Sequence, residues 1–317
     1  MTILILARDL DPSADAMVTV LRDRDVPVCR VNTAWFPAQL SISAELRGGR
    51  WSGALRTPEH CLELDDVSAV WYRSPEAYQM PAELSSAERQ HAFLEAKYGL
   101  GGVLSSLPVL WVNHPARMAD ASYKAVQLIR AHESGLAVPE TAITNERDTV
   151  KNFAARGRTV TKLMGSNTIS EEGTRKLSWT RVVGDDDLAD LRGIEVTTHM
   201  VQRWVPKSFE VRVIVIGDHI TAAAIYAGNA SSYIDWRSDY DSLSYDLIDP
   251  PEQVTAGIRS LMRTFGLVYG ALDFVVTSAG EWVFLEINPG GQYGWIESYT
   301  GAPLTAALAD LLMKGQL

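Results

Sequence analysis

VYGALDFVVTSAGEWVFLEIN, residues 268–288, places two runs rich in β-branched and aromatic residues on either side of Ser278-Ala279-Gly280-Glu281. That pattern predicts a β-hairpin closed by a tight turn. A turn centred on Ala279-Gly280 sets Asp273 opposite Glu286, and Asn288 opposite Ala271 on the same face. Leu272, Phe274, Val276, Val283, Leu285 and Ile287 then share the other face. All six are apolar, so that face is expected to be the buried one. Opposed ladder residues hold their Cβ atoms about 4.5–5.5 Å apart. Two carboxylates at that spacing repel unless a cation lies between them. Oxygen donors from Asp, Glu and Asn suit Mg²⁺, which keeps waters and takes further ligands from phosphates. Asp273, Glu286 and Asn288 are therefore the candidate metal set. The following Pro289-Gly290-Gly291 lets backbone approach a ligand closely. The plainer alternative is a pair of solvated acids.

A metal on two carboxylates implies a polyphosphate, which needs cations. Lys124 stands on a helix expected over residues 119–133, after the break at Asn113-His114-Pro115. Lys162 ends the strand pattern Thr159-Val160-Thr161-Lys162-Leu163, and a lysine on an apolar strand needs an anion. A loop rich in Gly and Ser, expected to be mobile, follows over residues 164–175. Residues 200–205, MVQRWV, form a strand running into Pro206. Chain leaving a strand there can offer backbone N–H and C=O to an adenine edge, which makes Gln202, Arg203, Trp204 and Val205 candidate nucleotide contacts. Glu210 and Arg212 are two apart, so both project from one strand face. A carboxylate can hold ribose hydroxyls and a guanidinium can hold phosphate oxygens. A surface ion pair is the alternative.

Working outward, residues 2–7, 26–31, 67–72 and 109–112 read as buried strands. Asp11-Pro12 marks the start of a helix to about Arg24. Ser85-Ser86-Ala87-Glu88 is a capping box opening another helix to about Leu100. This α/β opening has no Gly-rich dinucleotide fingerprint. The stretch 228–251 reads as a long loop carrying Tyr233, Trp236, Arg237, Tyr240 and Tyr245. Its amphipathic aromatics suit a peptide groove.

The 317 residues carry 29 Lys and Arg against 39 Asp and Glu, a net charge of −10. A nucleic-acid binder is expected to show a basic surplus, so no nucleic-acid partner is expected. No apolar run reaches the ~18–20 residues of a membrane span. Cys29 and Cys61 lack disulfide or metal spacing and read as reduced thiols of a cytoplasmic protein. The amino terminus lacks the features of a signal peptide.

Lys124, Lys162, the hinge at 201–205, Glu210 with Arg212, and the set Asp273, Glu286 and Asn288 come in an order that resembles the ATP-grasp superfamily. The likeness covers about residues 113–317. Val70-Trp71-Tyr72-Arg73-Ser74-Pro75, Glu95-Ala96-Lys97-Tyr98-Gly99, Trp111-Val112-Asn113-His114-Pro115, Val138-Pro139-Glu140-Thr141 and Thr144-Asn145 are similar to the ATP-grasp ribosomal peptide maturases, which make graspetides. Two departures are Arg203, where related ligases commonly carry an acid, and a phosphate loop poorer in glycine.

The resemblance implies an α/β (α+β) ATP-grasp fold. It would comprise an amino-terminal α/β pre-ATP-grasp domain (1–114), a central subdomain with the phosphate loop (115–200) and a carboxy-terminal subdomain with the metal site (201–317). It implies that Lys124 and Lys162 contact ATP phosphates and that Arg203, Trp204 and Val205 frame adenine. Glu210 would hold the ribose, and Asp273, Glu286 and Asn288 would bind Mg²⁺. It implies a precursor peptide with a leader segment as partner, and a homodimer. A peptide Asp or Glu carboxylate would be phosphorylated by ATP and captured by a Ser or Thr hydroxyl or a Lys amine, as ester or amide. Arg212, then Arg237, are the candidate catalytic cations, because phosphorylating a carboxylate brings anions together. Two other readings share the ATP site: a ligase acting on small carboxylates and amines, and a nucleotide-binding regulator without turnover.

Overall fold

Four short apolar strands, Thr2–Ala7, Val28–Val31, Val67–Ser74 and Leu110–Val112, form a parallel sheet with Thr2–Ala7 and Val67–Ser74 at its centre. The computed structural model describes residues 1–165, 168–171, 174–177 and 179–315. Asp11 caps the helix Pro12–Asp23 by accepting from the Ser13 and Ala14 N–H groups. The capping box at Ser85 and Glu88 forms, and its helix runs on to Ser105. A small antiparallel sheet of Ser41–Arg47, Arg50–Arg56 and Cys61–Glu63 was not foreseen. Its first turn is Gly48-Gly49, both at positive φ, a conformation glycine adopts without strain.

The middle of the chain forms a four-stranded antiparallel sheet, in the order Arg181–Val182, Thr159–Lys162, His199–Arg203, Thr141–Thr144. The stretch expected to be a loop is instead partly a hairpin, Thr168–Glu171 paired with Thr174–Leu177. Ser166, Asn167, Gly173 and the mobility expected there lie outside the described residues. A five-stranded antiparallel sheet follows, in the order Ser244–Ile248, His219–Tyr226, Phe209–Ile216, Tyr269–Val276, Trp282–Asn288. The second expected long loop is also largely ordered, with a helix Ala230–Ile234, two 3-10 turns and the edge strand Ser244–Ile248. Its aromatics pack on one another and on the helix Gly294–Thr300: Trp236 meets Trp295 at 5.1 Å, and Tyr245 stacks on Tyr299 at 4.8 Å.

The carboxy-terminal helix Leu304–Lys314 joins the first unit to the last. Leu304, Leu308 and Leu312 share one core with Ile3, Ile5, Trp71 and Val112 of the parallel sheet and with Ile214 and Ile216 of the five-stranded sheet. The helix Glu252–Phe265 covers the opposite face of that sheet through Ile258, Leu261 and Phe265.

Between these units lies a buried ion pair, Arg73 with Asp11 at 3.3 Å. Arg73 also donates to the Gly290 carbonyl at 3.0 Å, just beyond the strand Trp282–Asn288. Burial pushes the Asp11 carboxyl up, but the Ser74 hydroxyl, Arg73 and the Ala14 N–H outweigh it and hold its pKa below the usual value. The lowered pKa means its stabilisation is complete above the unfolded-state pKa and is lost as pH falls through the folded one. Arg73→Met leaves this carboxylate buried and unpaired, and should cost about 3–5 kcal/mol in urea unfolding. Adding Asp11→Asn should return much of that loss, so the two costs will not add.

Candidate active site

The hairpin pairs Asp273 with Glu286 and Ala271 with Asn288, as the residue pattern predicts. Nearer the turn the register differs by one residue: Phe274 faces Phe284 and Val276 faces Trp282. The turn has three residues, not a centre at Ala279-Gly280. Gly280 donates to the Thr277 carbonyl, the Thr277 N–H donates to Glu281, and Gly280 takes φ +80°. Leu285 is the extra residue of a β-bulge that restores the expected pairing at Asp273. The buried face is therefore Leu272, Phe274, Val276, Trp282, Phe284 and Ile287. Val283 and Leu285 leave that set, and Leu285 turns into the cavity beside Glu286.

That cavity holds about 520 Å³ between the central sheet and the five-stranded sheet. Lys124, Lys162, Gln202, Arg203, Trp204, Val205, Glu210, Arg212, Arg237, Asp273, Glu286 and Asn288 all contribute to its lining. The structure thus brings together every residue singled out from the sequence as a site candidate.

Each side chain has a positional cause. Arg212 pairs with Asp273 across the ladder and Glu210 pairs with Val275, so both project from the cavity face. The helix expected over 119–133 is broken into Pro115–Asp120 and Lys124–Glu133. Gln127, which the sequence reading passed over, bridges the break. Its amide donates to the Ala121 carbonyl at 2.7 Å and to the Ile287 carbonyl at 2.9 Å, and accepts from the Ile287 N–H at 3.0 Å. Lys124 begins the second helix and bonds directly to Glu286.

The acids and cations interlock. One Arg237 nitrogen donates to Asp273 at 2.5 Å and to Glu286 at 3.3 Å, and Asp235 lies 3.3 Å from the guanidinium. Burial works against the Arg237 charge, but Asp273, Glu286 and Asp235 outweigh it and raise its pKa. Burial pushes Asp273 up even against Arg212 and Arg237, whereas Glu286, although buried, is held down at about 2 by Lys124 and Arg237. Trp236 lies under both arginines, 5.6 Å from the Arg212 guanidinium and 4.7 Å from that of Arg237. Lys207, also missed, binds Glu210 at 2.5 Å in a buried pair and leaves one Glu210 oxygen for another ligand. Burial pushes the Lys162 ammonium below its usual pKa despite Glu286 and Glu210 nearby. Among the described residues it has no carboxylate within ion-pair distance.

The hinge differs in detail from expectation. The Arg203 side chain turns away from the cavity, onto the Gly157 carbonyl at 2.5 Å, the Phe153 carbonyl at 3.1 Å and the Phe153 ring. The Arg203 and Trp204 N–H groups already donate to Glu140 and Arg158. Trp204 itself is faced by Arg158 and Lys207. Arg203→Ala should therefore lower stability by about 1–2 kcal/mol. ADP affinity by calorimetry should stay unchanged.

The donors fit a hard divalent cation. Asp273, Glu286 and Asn288 offer oxygen ligands, and buried Asp273 Oδ1 accepts no hydrogen bond, although Arg212 Nε lies 3.2 Å away as its ion-pair partner. Asn288 Oδ1 accepts from the Gly290 N–H at 3.0 Å, which holds the amide in place.

A parallel-sheet unit joined to two antiparallel sheets with a cation-lined cleft between them is the architecture of a nucleotide-dependent ligase. Residues 116–311 match a family model of the ATP-grasp domain, and residues 2–119 match the model "MvdD pre-ATP grasp domain". The chain belongs to the ATP-grasp family and is an ATP-grasp ligase. Macrocyclase MdnC of Microcystis aeruginosa MRC, solved with precursor peptide MdnA, is 28% identical, with TM-score 0.87 over 99% of this chain and 100% of that one. A RiPP-associated ATP-grasp ligase of Chryseobacterium gregarium, solved with ADP and a leader and core peptide, is 27% identical, with TM-score 0.90 over 99% and 96%. Macrocyclase MdnB of M. aeruginosa MRC is 26% identical, with TM-score 0.82 over 99% of each chain. No curated protein sequence matches. No helix among the described residues is long and apolar enough to cross a membrane.

Proposed function

We propose that this protein is an ATP-dependent macrocyclase of a ribosomally made precursor peptide. The observation that carries this reading is similarity over nearly the whole chain to macrocyclase and ligase structures, two of them holding precursor or leader and core peptide. A peptide Asp or Glu carboxylate takes the γ-phosphoryl group of ATP, giving an acylphosphate and ADP. A Ser or Thr hydroxyl, or a Lys amine, of the same peptide then displaces phosphate, closing an ester or amide ring.

The chain's residues divide this work. Lys124 and Lys162 bind phosphate oxygens. Glu210, pinned by Lys207, turns its remaining oxygen to the ribose. Gln202, Arg203, Trp204 and Val205 border the adenine, with backbone as the contact at Arg203. Asp273, Glu286 and Asn288 hold Mg²⁺, which when bound offsets charge on the transferred phosphoryl group. Arg212 and Arg237, held over Trp236, face the incoming carboxylate and lower its repulsion from phosphate. No side chain is assigned as a base for the hydroxyl, because an acylphosphate reacts once the acceptor is positioned.

The division into 1–114, 115–200 and 201–317, a homodimeric assembly, a cytoplasmic location and leader recognition belong to the same proposal. The aromatics of residues 233–245 are packed inward, which leaves exposed Tyr240 as the peptide contact there. The test is mass spectrometry of a precursor peptide encoded beside this protein, incubated with it, ATP and Mg²⁺. Loss of one water per linkage with matching ADP release is expected. Unchanged peptide mass, with ADP released from ATP only when free amino acids are supplied, would assign the small-molecule ligase instead.

A further inference from the structure

Gln127 does something no hydrophobic contact in this site could do. The strand Trp282–Asn288 lies at the edge of its sheet; its outer side is met at Phe284, whose N–H donates to the Ala137 carbonyl at 2.8 Å, and among the described residues no strand carries that contact on to Ile287. At Ile287 the backbone meets the Gln127 amide, which bonds both the N–H and the carbonyl as a paired strand would. Ile287 lies between Glu286 and Asn288, two of the three candidate metal ligands. Gln127 is only 3% exposed, and all three of its bonds go to main chain. It stands one turn beyond Lys124, so the same short helix delivers the clasp on Ile287 and the cation on Glu286.

We propose that Gln127 is a positioning residue for the metal centre: its amide stands in for the missing neighbour strand and fixes the backbone from which Glu286 and Asn288 reach the cation. This rests on the reading of Asp273, Glu286 and Asn288 as the metal set. The clasp is two-sided and planar, so it sets both the height of the strand and its rotation. Those are the two freedoms that would otherwise let adjacent ligands drift apart. Partners one step behind a ligand typically account for about 10–100-fold in metal affinity.

The experiment measures Mn²⁺ binding by electron paramagnetic resonance with saturating ADP, alongside ADP affinity without metal and thermal unfolding. Gln127→Met keeps the length of the side chain and removes all three bonds. It should weaken Mn²⁺ about 10–100-fold and leave metal-free ADP affinity unchanged, a split that a general loss of structure would not give. Gln127→Glu keeps the bond from the Ile287 N–H, loses both donations, and decides the matter should Gln127→Met fail to fold. It too should weaken Mn²⁺. A folded variant binding Mn²⁺ within about threefold of the unaltered protein, against the expected 10–100-fold, overturns the proposal. Glu286→Gln separates the two claims. If it abolishes Mn²⁺ binding while the Gln127 variants do not weaken it, the clasp is wrong and the metal set stands. If it too leaves Mn²⁺ binding intact, the metal set itself falls.

Discussion

Glu286→Ala will lose peptide dehydration by at least about 100-fold while remaining folded. Three functions converge on this carboxylate. It faces Asp273 across the ladder, bonds to Lys124, and shares Arg237 with Asp273. On the proposed reading, removing it would take an oxygen ligand from the cation and release Lys124 and Arg237 into the space the nucleotide phosphates need. Glu286→Gln keeps the volume and discards the charge, so it should fall nearly as far. A variant that keeps its shape but not its charge would lose little only if the cation were held elsewhere. The readout is the fraction of precursor that loses water, with ADP release followed in parallel. Dehydration persisting at about a tenth or more of the original rate would remove Glu286 from the chemistry.

Asn113→Ala should cost as much stability as breaking the buried Arg73–Asp11 pair. Asn113 is 2% exposed. Its amide donates to the Tyr269 and Pro289 carbonyls at 2.7 and 2.8 Å, and its oxygen accepts from the Val268 and Tyr269 N–H groups at 2.8 and 3.1 Å. Truncation strands four buried backbone groups, each of which costs about 1–3 kcal/mol when left unpaired. Partial relaxation should bring the total to about 3–5 kcal/mol, a large share of the stability of an ordinary domain. The denaturant midpoint checks it. Asn113→Asp keeps the acceptor and loses both donations, and should fall between. A loss of less than about 1 kcal/mol would show that Asn113 does not tie the first unit to the hairpin.

The facing pair Asp273 and Glu286 was legible because strand side chains alternate and the acids break an apolar pattern. The bulge at Leu285 was not legible for the converse reason. Trp282, Val283, Phe284 and Leu285 are all apolar, so either register buries an apolar face and alternation cannot choose between them. Lys162, Glu210 and Arg212 were readable from spacing within their own strands. Gln127 and Asn113 act across the fold, and a side chain's distant partner leaves no local trace. Lys207 carried a faint signal, three positions before Glu210. Gly48-Gly49 between two short runs carried a plainer hairpin signal that the sequence reading passed over. The break before Lys124 was not read, and the residue that bridges it, Gln127, has its partner at Ile287, 160 positions along the chain.

The bulge at Leu285 has a consequence for how this hairpin can change. A plain two-stranded ladder is a rigid ruler: one residue gained or lost at its tip shifts the parity of every pair below it. Here the extra residue sits between the tip and the acids, and it absorbs one step of phase. The tip and the chemistry are thereby uncoupled. Residues 277–281 can lose one residue while the strand below sheds its kink, and Asp273 will still meet Glu286.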